Sequence, residues 1–310
     1  MTTLEARRRA GSGGAMPRVV VVTRKTDYER VVDRHGTRAQ ARFFLASRGQ
    51  DLEEAQSRHD RFQRALRHVV GSIPLSWRRA NVRRAELDRF LFEPADTIVV
   101  VGQDGLVANA AKYLDGQSVI GVNPVPGYFE GVLVNHTPGD VAELLPATVY
   151  GEAERELRTM ARVTLDDGQA LCALNEVFVG HRTHQSARYR ITFGQQTERH
   201  SSSGLIITTG TGATGWAKSI TRQHREPPLL PSPTDHWLTF LVREPWPSVA
   251  TGTALAGGVV APETPLTLVS ELNDGGVIFG DGIESDCLAF RWGLSATIAP
   301  AEKKLALIRT

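Results

Sequence analysis

A turn rich in glycine and threonine follows an apolar run near residue 205. Residues 201–219 read SSSGLIITTGTGATGWAKS. Gly210, Gly212 and Gly215 let the backbone approach a ligand closely, and the threonines between them supply hydroxyl groups. A helix that starts near Trp216 adds free backbone N–H groups. These groups suit the polar edges of a base, a ribose or a diphosphate. The stretch is therefore either a nucleotide site or a plain glycine-rich turn.

Two well-known nucleotide motifs do not fit this turn. A Rossmann fingerprint opens a βαβ unit and has an acidic residue about 20 positions later. Here the glycines lie in a β-rich half of the chain, and Glu226 comes too early. A P-loop needs a lysine directly after its last glycine, whereas Trp216 and Ala217 separate Gly215 from Lys218.

Strands and helices alternate over residues 18–140. Apolar runs predict strands at residues 18–25, 97–101 and 118–124, with a further strand inside 74–87. Helical spacing of apolar residues covers 37–71, with Gly71 as its C-cap, and shorter helices are predicted at 108–116 and 139–149. This alternation indicates an α/β domain with a mainly parallel, Rossmann-like sheet.

Short strands joined by turns dominate after about residue 150. Asp167-Gly168 and the stretch 273–276 are hairpin signals. We therefore predict an all-β, sandwich-like C-terminal domain after the α/β N-terminal domain. The predicted boundaries are a disordered leader at 1–16, an α/β nucleotide-binding domain at 17–146, a β-rich domain at 147–290, and a segment at 291–310 that returns to the first domain.

Composition limits the classes of partner. The chain has 310 residues, with 36 basic and 34 acidic side chains, so its net charge of +2 gives no electrostatic case for nucleic acid. No apolar run approaches the ~18 residues of a membrane span, and we expect no membrane partner. Cys172 and Cys287 lack metal-ligand spacing, and we expect both to be buried. The first sixteen residues lack a secretory signal, and Glu5 argues against an organellar leader, so we expect a cytoplasmic protein.

Four ordered motifs over roughly residues 95–290 resemble those of the NAD kinase family. The chain carries Gly-Gln-Asp-Gly at 102–105, Gly-Val-Asn at 121–123, Asn-Glu at 175–176, and Ser-Gly-Leu leading to Thr-Gly-Ala-Thr-Gly-Trp over 203–216. A late Asp281-Gly282 is similar to the terminal Asp-Gly element of that family. The match is strongest to the mitochondrial type. The resemblance implies a phosphofructokinase/NAD kinase-like fold, in agreement with the α/β and β-rich halves.

The resemblance implies an ATP-dependent kinase that phosphorylates the 2′-hydroxyl of the adenosine ribose of NAD to make NADP. Asp104 then accepts the proton of that hydroxyl as the catalytic base. ATP phosphates, with Mg²⁺ bound to them, lie at Gly102, Gln103 and Gly105. The implied NAD-binding residues are Asn123, Asn175, Glu176, Thr211, Gly212, Thr214, Gly215, Trp216 and Asp281. The resemblance assigns no metal ion to protein side chains, and it implies a homo-oligomer, a dimer or a tetramer.

The ATP loop departs from the family pattern at two positions. Gln103 stands where the family has glycine, and Leu106 stands where it has threonine. A Cβ at position 103 restricts the approach of phosphate to the backbone. Two alternatives therefore stay open: a dinucleotide-binding protein with weak or no kinase activity, and a related kinase with a lipid or sugar acceptor.

Overall fold

The computed structural model describes residues 16–128, 131–222 and 228–309, and the chain divides into two compact units. Within the described residues, the first unit contains 16–104, 117–154 and 308–309, and the second contains 105–116 and 155–307. Apart from Met16, the predicted leader at 1–16 lies outside the described residues. The boundaries predicted at 17–146, 147–290 and 291–310 stay a prediction.

The first unit contains four parallel strands in the order β2-β1-β3-β4. They are β1 (Arg18–Thr23), β2 (Arg78–Arg83), β3 (Thr97–Val101) and β4 (Ser118–Val122). β3 and β4 are buried along their whole length and β1 at all but its ends, which explains their continuous apolar runs. The strand order reverses between β1 and β3. Open α/β sheets bind ligands at such a topological switch point, beyond the carboxyl ends of the strands.

Within the described residues, five α-helices follow these strands along the chain. They are α1 (Asp27–His35), α2 (Arg38–Ala46), α3 (Leu52–Gly71), α4 (Asp104–Ala111) and α5 (Val141–Val149). Phe62 of α3 and Leu145 of α5 belong to the same apolar core as Val21, Val99 and Ile120 of the sheet. α4 begins in the first unit at its first residue, and its other residues belong to the second unit.

The helix predicted over 37–71 is two helices, α2 and α3. A further helix, α1, precedes them and was not predicted from the sequence. Gly49, with φ +67°, separates α2 from α3, whose N-cap Asp51 accepts the Glu53 N–H at 2.8 Å. α1 is started by a capping box between Thr26 and Glu29. The predicted cap at Gly71 is wrong because Gly71 is the last residue of α3 and Ser72 is its C-cap.

The second unit contains two β-sheets. Its strands are β5 (Arg155–Leu165), β6 (Ala170–Ala173), β7 (Glu176–His181), β8 (Ala187–Phe193), β9 (Gln196–Ser202), β10 (Leu205–Thr208), β11 (Leu238–Val242), β12 (Gly257–Val260), β13 (Leu266–Ser270), β14 (Gly276–Gly280), β15 (Cys287–Ala289) and β16 (Ser295–Ile308). One sheet has the order β16-β13-β8-β9, with β5 paired to β16 and β6 to β5. The other has the order β12-β11-β10-β7-β14-β15. A short helix, α6 (Trp216–Thr221), follows β10.

Apolar side chains of both sheets form one core in the second unit. Ile191 and Leu268 of the first sheet share a buried cluster with Val179, Ile207 and Phe240 of the second. This arrangement is the predicted sandwich, and together with the parallel sheet of the first unit it confirms the predicted fold class.

Two expectations for the second unit are wrong. The turn at 273–276 joins β13 to β14, which lie in different sheets, so it does not make a hairpin. Its glycine-rich sequence signals a change of direction without specifying which strand pairs with which. Cys172 is buried as expected, and burial raises the pKa of its thiol, but Cys287 is exposed.

In the described parts of the chain, no helix has the length and apolar character needed to cross a bilayer.

Candidate active site

Residues 102–105 follow β3 directly, and Asp104 is the first residue of α4, at the carboxyl end of that strand. Asp104 Oδ1 accepts the N–H groups of Leu133 at 2.8 Å and Val134 at 3.1 Å. Its Oδ2 accepts the Val132 N–H at 2.9 Å. The three bonds fix the carboxylate in one orientation. Because Oδ2 takes part in one of them only, it retains acceptor capacity for a further donor such as a substrate hydroxyl.

Gly121 of the Gly-Val-Asn motif makes room for the segment that holds Asp104. A Cβ at Gly121 would lie 1.8 Å from the carbonyl oxygen of Leu133. The glycine therefore permits the close approach of residues 131–134 to β4. The sequence analysis missed this segment because backbone N–H groups act here, and these do not depend on residue type.

Asn123 and Gly105 have different local surroundings. Asn123 is buried, and its Oδ1 accepts the Val125 N–H at 3.0 Å, so this side chain stabilises the turn after β4. Gly105 is exposed, and an added Cβ there would meet nothing within 4 Å. Packing therefore does not require a glycine at position 105, whereas it does at position 121.

A crevice of about 610 Å³, including its open mouth, lies at the switch point between β1 and β3. Its lining includes Arg24 after β1, Gln103 after β3, and Arg58 on α3. Gly102 also contributes, and its N–H donates to the Val122 carbonyl oxygen at 3.1 Å. Gly102 and Gln103 were predicted from the sequence, whereas the two arginines were not, because they come from separate elements.

Asp281 fixes the Asn-Glu motif in the second unit. Its Oδ2 accepts the Leu174 N–H at 2.9 Å, and its Oδ1 accepts the Asn175 N–H at 2.6 Å. Its own N–H donates to the Glu176 carbonyl oxygen at 3.1 Å. Asp281 takes a positive φ of +54°, which is uncommon for a non-glycine residue. The carboxylate expected to contact NAD is therefore engaged with the backbone of the motif.

Two carboxyl groups at this point have raised pKa values. Burial raises the pKa of Glu176 to about 7, and the charge of Asp281 adds to the rise. Burial also raises the pKa of Asp281 to about 6, against the effect of the backbone N–H groups that it accepts. Glu176 therefore changes its charge near neutral pH. Perturbed carboxyl groups of this kind are typical of functional sites.

The glycine-threonine turn packs directly against the Asn-Glu motif. The Thr209 N–H donates to the Asn175 carbonyl oxygen at 2.9 Å. The Thr209 hydroxyl accepts the N–H groups of Thr211 at 3.1 Å and Gly212 at 3.3 Å. A Cβ at Gly212 would lie 2.1 Å from the Asn175 carbonyl oxygen. Glycine is thus required at position 212 for the turn to lie against the motif.

The remaining predicted NAD-binding residues of the turn differ in exposure. Thr214 and Gly215 are exposed, whereas Thr211 is buried, with its hydroxyl 3.4 Å from Nη1 of Arg158. Trp216 begins α6 and stacks on Phe178, with ring centroids 5.9 Å apart. The second unit therefore brings Asn175, Glu176, Asp281 and the turn together.

In the described residues, no three His, Cys, Asp or Glu side chains are grouped as a metal ion requires.

The curated relatives that the chain matches are NAD kinases. Mitochondrial NAD kinase 2 of Homo sapiens is 27% identical over 265 residues, which cover 69% of this chain and 60% of the human protein. The Xenopus tropicalis protein of the same name is 25% identical over 288 residues, which cover 72% of this chain and 67% of that protein. The chain thus spans about 60 to 67% of the length of these relatives. A scan against models of known protein families matches none.

A solved structure supports the fold. The crystal structure of an NAD kinase from Archaeoglobus fulgidus in complex with ATP matches with a TM-score of 0.57 and 19% identity. The match covers 94% of this chain and 93% of that chain. The likeness confirms the predicted NAD kinase-like fold. Together with the curated relatives, it confirms that the chain is similar to NAD kinases, as the four motifs indicated.

The expectation of a cytoplasmic protein is wrong. The human and frog relatives are both named as mitochondrial proteins, and these names point to mitochondria rather than the cytoplasm. Glu5 and the rest of residues 1–15 fall outside the described part of the chain. Local composition was therefore a weak guide to location.

Proposed function

We propose that the chain is an NAD kinase, which transfers the γ-phosphoryl group of ATP to the 2′-hydroxyl of the adenosine ribose of NAD. The products are NADP and ADP. The observation that carries this proposal is the position of Asp104, on a Gly-x-Asp-Gly loop at the carboxyl end of a parallel strand, with its carboxylate fixed by three backbone N–H groups. The similarity to proteins named NAD kinases agrees with it.

Asp104 serves as the general base in this reaction. A secondary alcohol is a poor nucleophile at neutral pH, and a positioned carboxylate accepts its proton as the new O–P bond forms. The bond between the γ-phosphorus and the bridging oxygen breaks, and ADP leaves with that oxygen. The fixed orientation of the carboxylate serves this step because phosphoryl transfer depends chiefly on positioning.

The second unit supplies the groups that bind NAD. The Asn175 amide both donates and accepts hydrogen bonds, and the Glu176 carboxylate accepts from ribose hydroxyls. Thr214 and Gly215 are exposed and free to contact the dinucleotide. Asp281 acts through the backbone of the motif, and Thr211 through the buried side of the turn. We therefore assign Asp281 a positioning role in place of direct NAD contact.

ATP enters as its Mg²⁺ complex, so the metal ion belongs to the substrate. The ion offsets the negative charge that develops on the transferred group. The phosphates bind along residues 102–105, which include Gly102, Gln103 and Gly105. Of these, Gly102 and Gln103 line the crevice of the first unit. Neither alternative from the sequence, a non-catalytic dinucleotide binder or a lipid or sugar kinase, is favoured by relatives that are named NAD kinases.

A coupled assay tests the proposed function. The protein is incubated with ATP, Mg²⁺ and NAD, and NADP is detected with an NADP-specific dehydrogenase. We expect turnover in the natural protein and a loss of about 10²–10⁴-fold in Asp104→Asn, the range for removing a general base. Asp88→Asn, which neutralises an exposed carboxylate paired with Arg89, is the matched control and should keep full activity. Absence of NADP with the natural protein contradicts the proposal.

The Asp104→Asn variant needs a test of folding. An amide in place of the carboxylate sets an NH₂ group against one of the three backbone N–H donors, which costs stability. Calorimetric titration with NAD separates the two effects. Binding at the natural affinity together with lost turnover assigns the loss to the chemical step.

A further inference from the structure

Arg24 and Gln103 lie on either side of the switch point of the parallel sheet. Arg24 follows β1 by one residue, and Gln103 follows β3 by two. Nη2 of Arg24 donates a hydrogen bond to Oε1 of Gln103. The residue that departs from the family pattern therefore contacts a cation at the place where open α/β sheets bind their ligands.

Nearby basic groups outweigh the nearby acid in their effect on Arg24. Burial, followed by the charge of Arg30, lowers the pKa of the guanidinium, and Arg84 acts in the same direction. Asp27 is the acid that opposes this, but its carboxylate is already paired with Arg30. No ion pair within the described residues includes Arg24. A partly buried guanidinium held only by a neutral amide favours binding of an anion.

The crevice beside Arg24 combines basic side chains with a mainly apolar lining. Arg58 contributes a second guanidinium, held by Glu54 at 2.6 Å and by the Tyr128 hydroxyl at 3.2 Å. Phe62 and Tyr128 offer apolar surface in the same lining. Arg58 lies over the Tyr128 ring and is paired with Glu54, so Arg24 is the guanidinium left for an anion, and the aromatic surface beside it suits a flat base.

We propose that Arg24 binds the terminal phosphate groups of the phosphoryl donor and that Gln103 is a positioning residue that holds the Arg24 guanidinium. One of the five guanidinium N–H donors goes to Gln103, and the others stay available for phosphate oxygens. The identity of the ligand as the donor rests on the proposed function. The presence of a polyphosphate site does not.

The neutral amide of Gln103 is central to this inference. Glycine at this position would leave the guanidinium without its partner. Glutamate would hold the guanidinium as firmly but would cancel its charge. The glutamine side chain therefore fixes Arg24 and leaves the charge for the phosphates. Gln103 stands where the family has glycine. In this chain, Gln103 holds Arg24 against the phosphoryl donor, and this added contact compensates for the loss of the glycine.

Calorimetric titration with inorganic triphosphate, and separately with ATP, tests the site without turnover. We expect Arg24→Gln to weaken triphosphate binding about tenfold or more, the usual effect of losing a charge-assisted bond. Arg24→Lys should weaken it less, because the charge remains. Gln103→Glu should weaken it more than Gln103→Gly. Arg34→Gln, which removes an exposed arginine at the end of α1, should bind triphosphate like the natural protein.

Steady-state kinetics give a readout that a general loss of structure would not produce. We expect Gln103→Glu to raise the KM for ATP at least fivefold while the KM for NAD stays unchanged. Triphosphate binding by Arg24→Gln at the natural affinity overturns the inference, as does tighter binding by Gln103→Glu or Gln103→Gly.

The outcome also distinguishes the two proposals. Triphosphate binding that depends on Arg24, without NADP formation, supports the anion site and contradicts the proposed kinase. NADP formation with an ATP KM that is unchanged in Arg24→Gln supports the kinase and contradicts the role of Arg24.

Discussion

Glu176 is a carboxyl group that titrates near neutral pH. Its side chain is partly buried beside Asp281, and burial raises its pKa to about 7. Below that pH the group is mainly protonated, and above it the group is an anion. An anionic carboxylate accepts hydrogen bonds from ribose hydroxyls more strongly than the neutral acid does. Its protonation state should therefore control NAD binding.

We expect the Kd for NAD to fall as the pH rises from about 6 to about 8, because the ionised fraction of Glu176 increases across its pKa of about 7. Glu176→Gln keeps the size of the side chain and removes its titration. In that variant the pH dependence should flatten. Isothermal calorimetry at several pH values measures the Kd for NAD. An equal change of Kd with pH in the natural protein and in Glu176→Gln would show that another group is responsible.

The sequence predicted which side chains occur at the proposed site better than it predicted the groups to which they are hydrogen-bonded. The motif resemblance named Asp104, Asn175 and Glu176, and the geometry gives each a polar setting suited to its proposed role. It could not show that Asp281 binds the backbone at Leu174 and Asn175, because such bonds depend on the path of the chain. The contact between Arg24 and Gln103 was missed because the two residues are 79 positions apart in sequence.

At the scale of elements, β4 and the segment at 131–134 act together to hold Asp104. We expect Gly121→Ala to destabilise the protein by about 1–3 kcal/mol, because its Cβ would lie 1.8 Å from the Leu133 carbonyl oxygen. The displaced segment would also release the carboxylate and lower kcat. Chemical denaturation and the coupled assay measure the two effects.

Gly71→Ala is the control of opposite sign. Gly71 ends α3, and an added Cβ there meets nothing within 4 Å. We expect this variant to be more stable by about 0.4–1 kcal/mol, through the reduced freedom of the unfolded chain. Equal stability of the two alanine variants would contradict the role given to the close contact at Gly121.

Elements were predictable where a local pattern determines them. The apolar runs of β1, β3 and β4 predicted buried parallel strands, since helices cover both faces of such sheets. The capping box at Thr26 and Glu29 marks the start of α1, and attention to it would have found that helix. The turn at 273–276 failed as a hairpin signal because strand partners are set by packing of the whole unit.

At the scale of the whole molecule, each unit has its own apolar core and its own set of proposed site residues. The first unit carries Asp104 and the crevice beside Arg24 and Gln103, and the second carries the Asn-Glu motif. Sequence patterns identified both classes of unit. The predicted domain boundaries stay a prediction, and α4 and the end of β16 pass from one unit to the other.

The oligomeric state remains a prediction from the family resemblance. We expect the protein to sediment as two or four chains in analytical ultracentrifugation at micromolar concentration. Sedimentation as a single chain over that range would contradict it.

Transfer of label from ATP is the most direct test of the central claim. The protein is incubated with NAD, Mg²⁺ and ATP labelled with ³²P at the γ-phosphate, and the products are separated by chromatography. We expect the label to appear in NADP and to be released by hydrolysis of its 2′-phosphate, with Asp104→Asn transferring almost none. Label that stays in ATP, or appears only as inorganic phosphate while NAD is unchanged, would contradict the account.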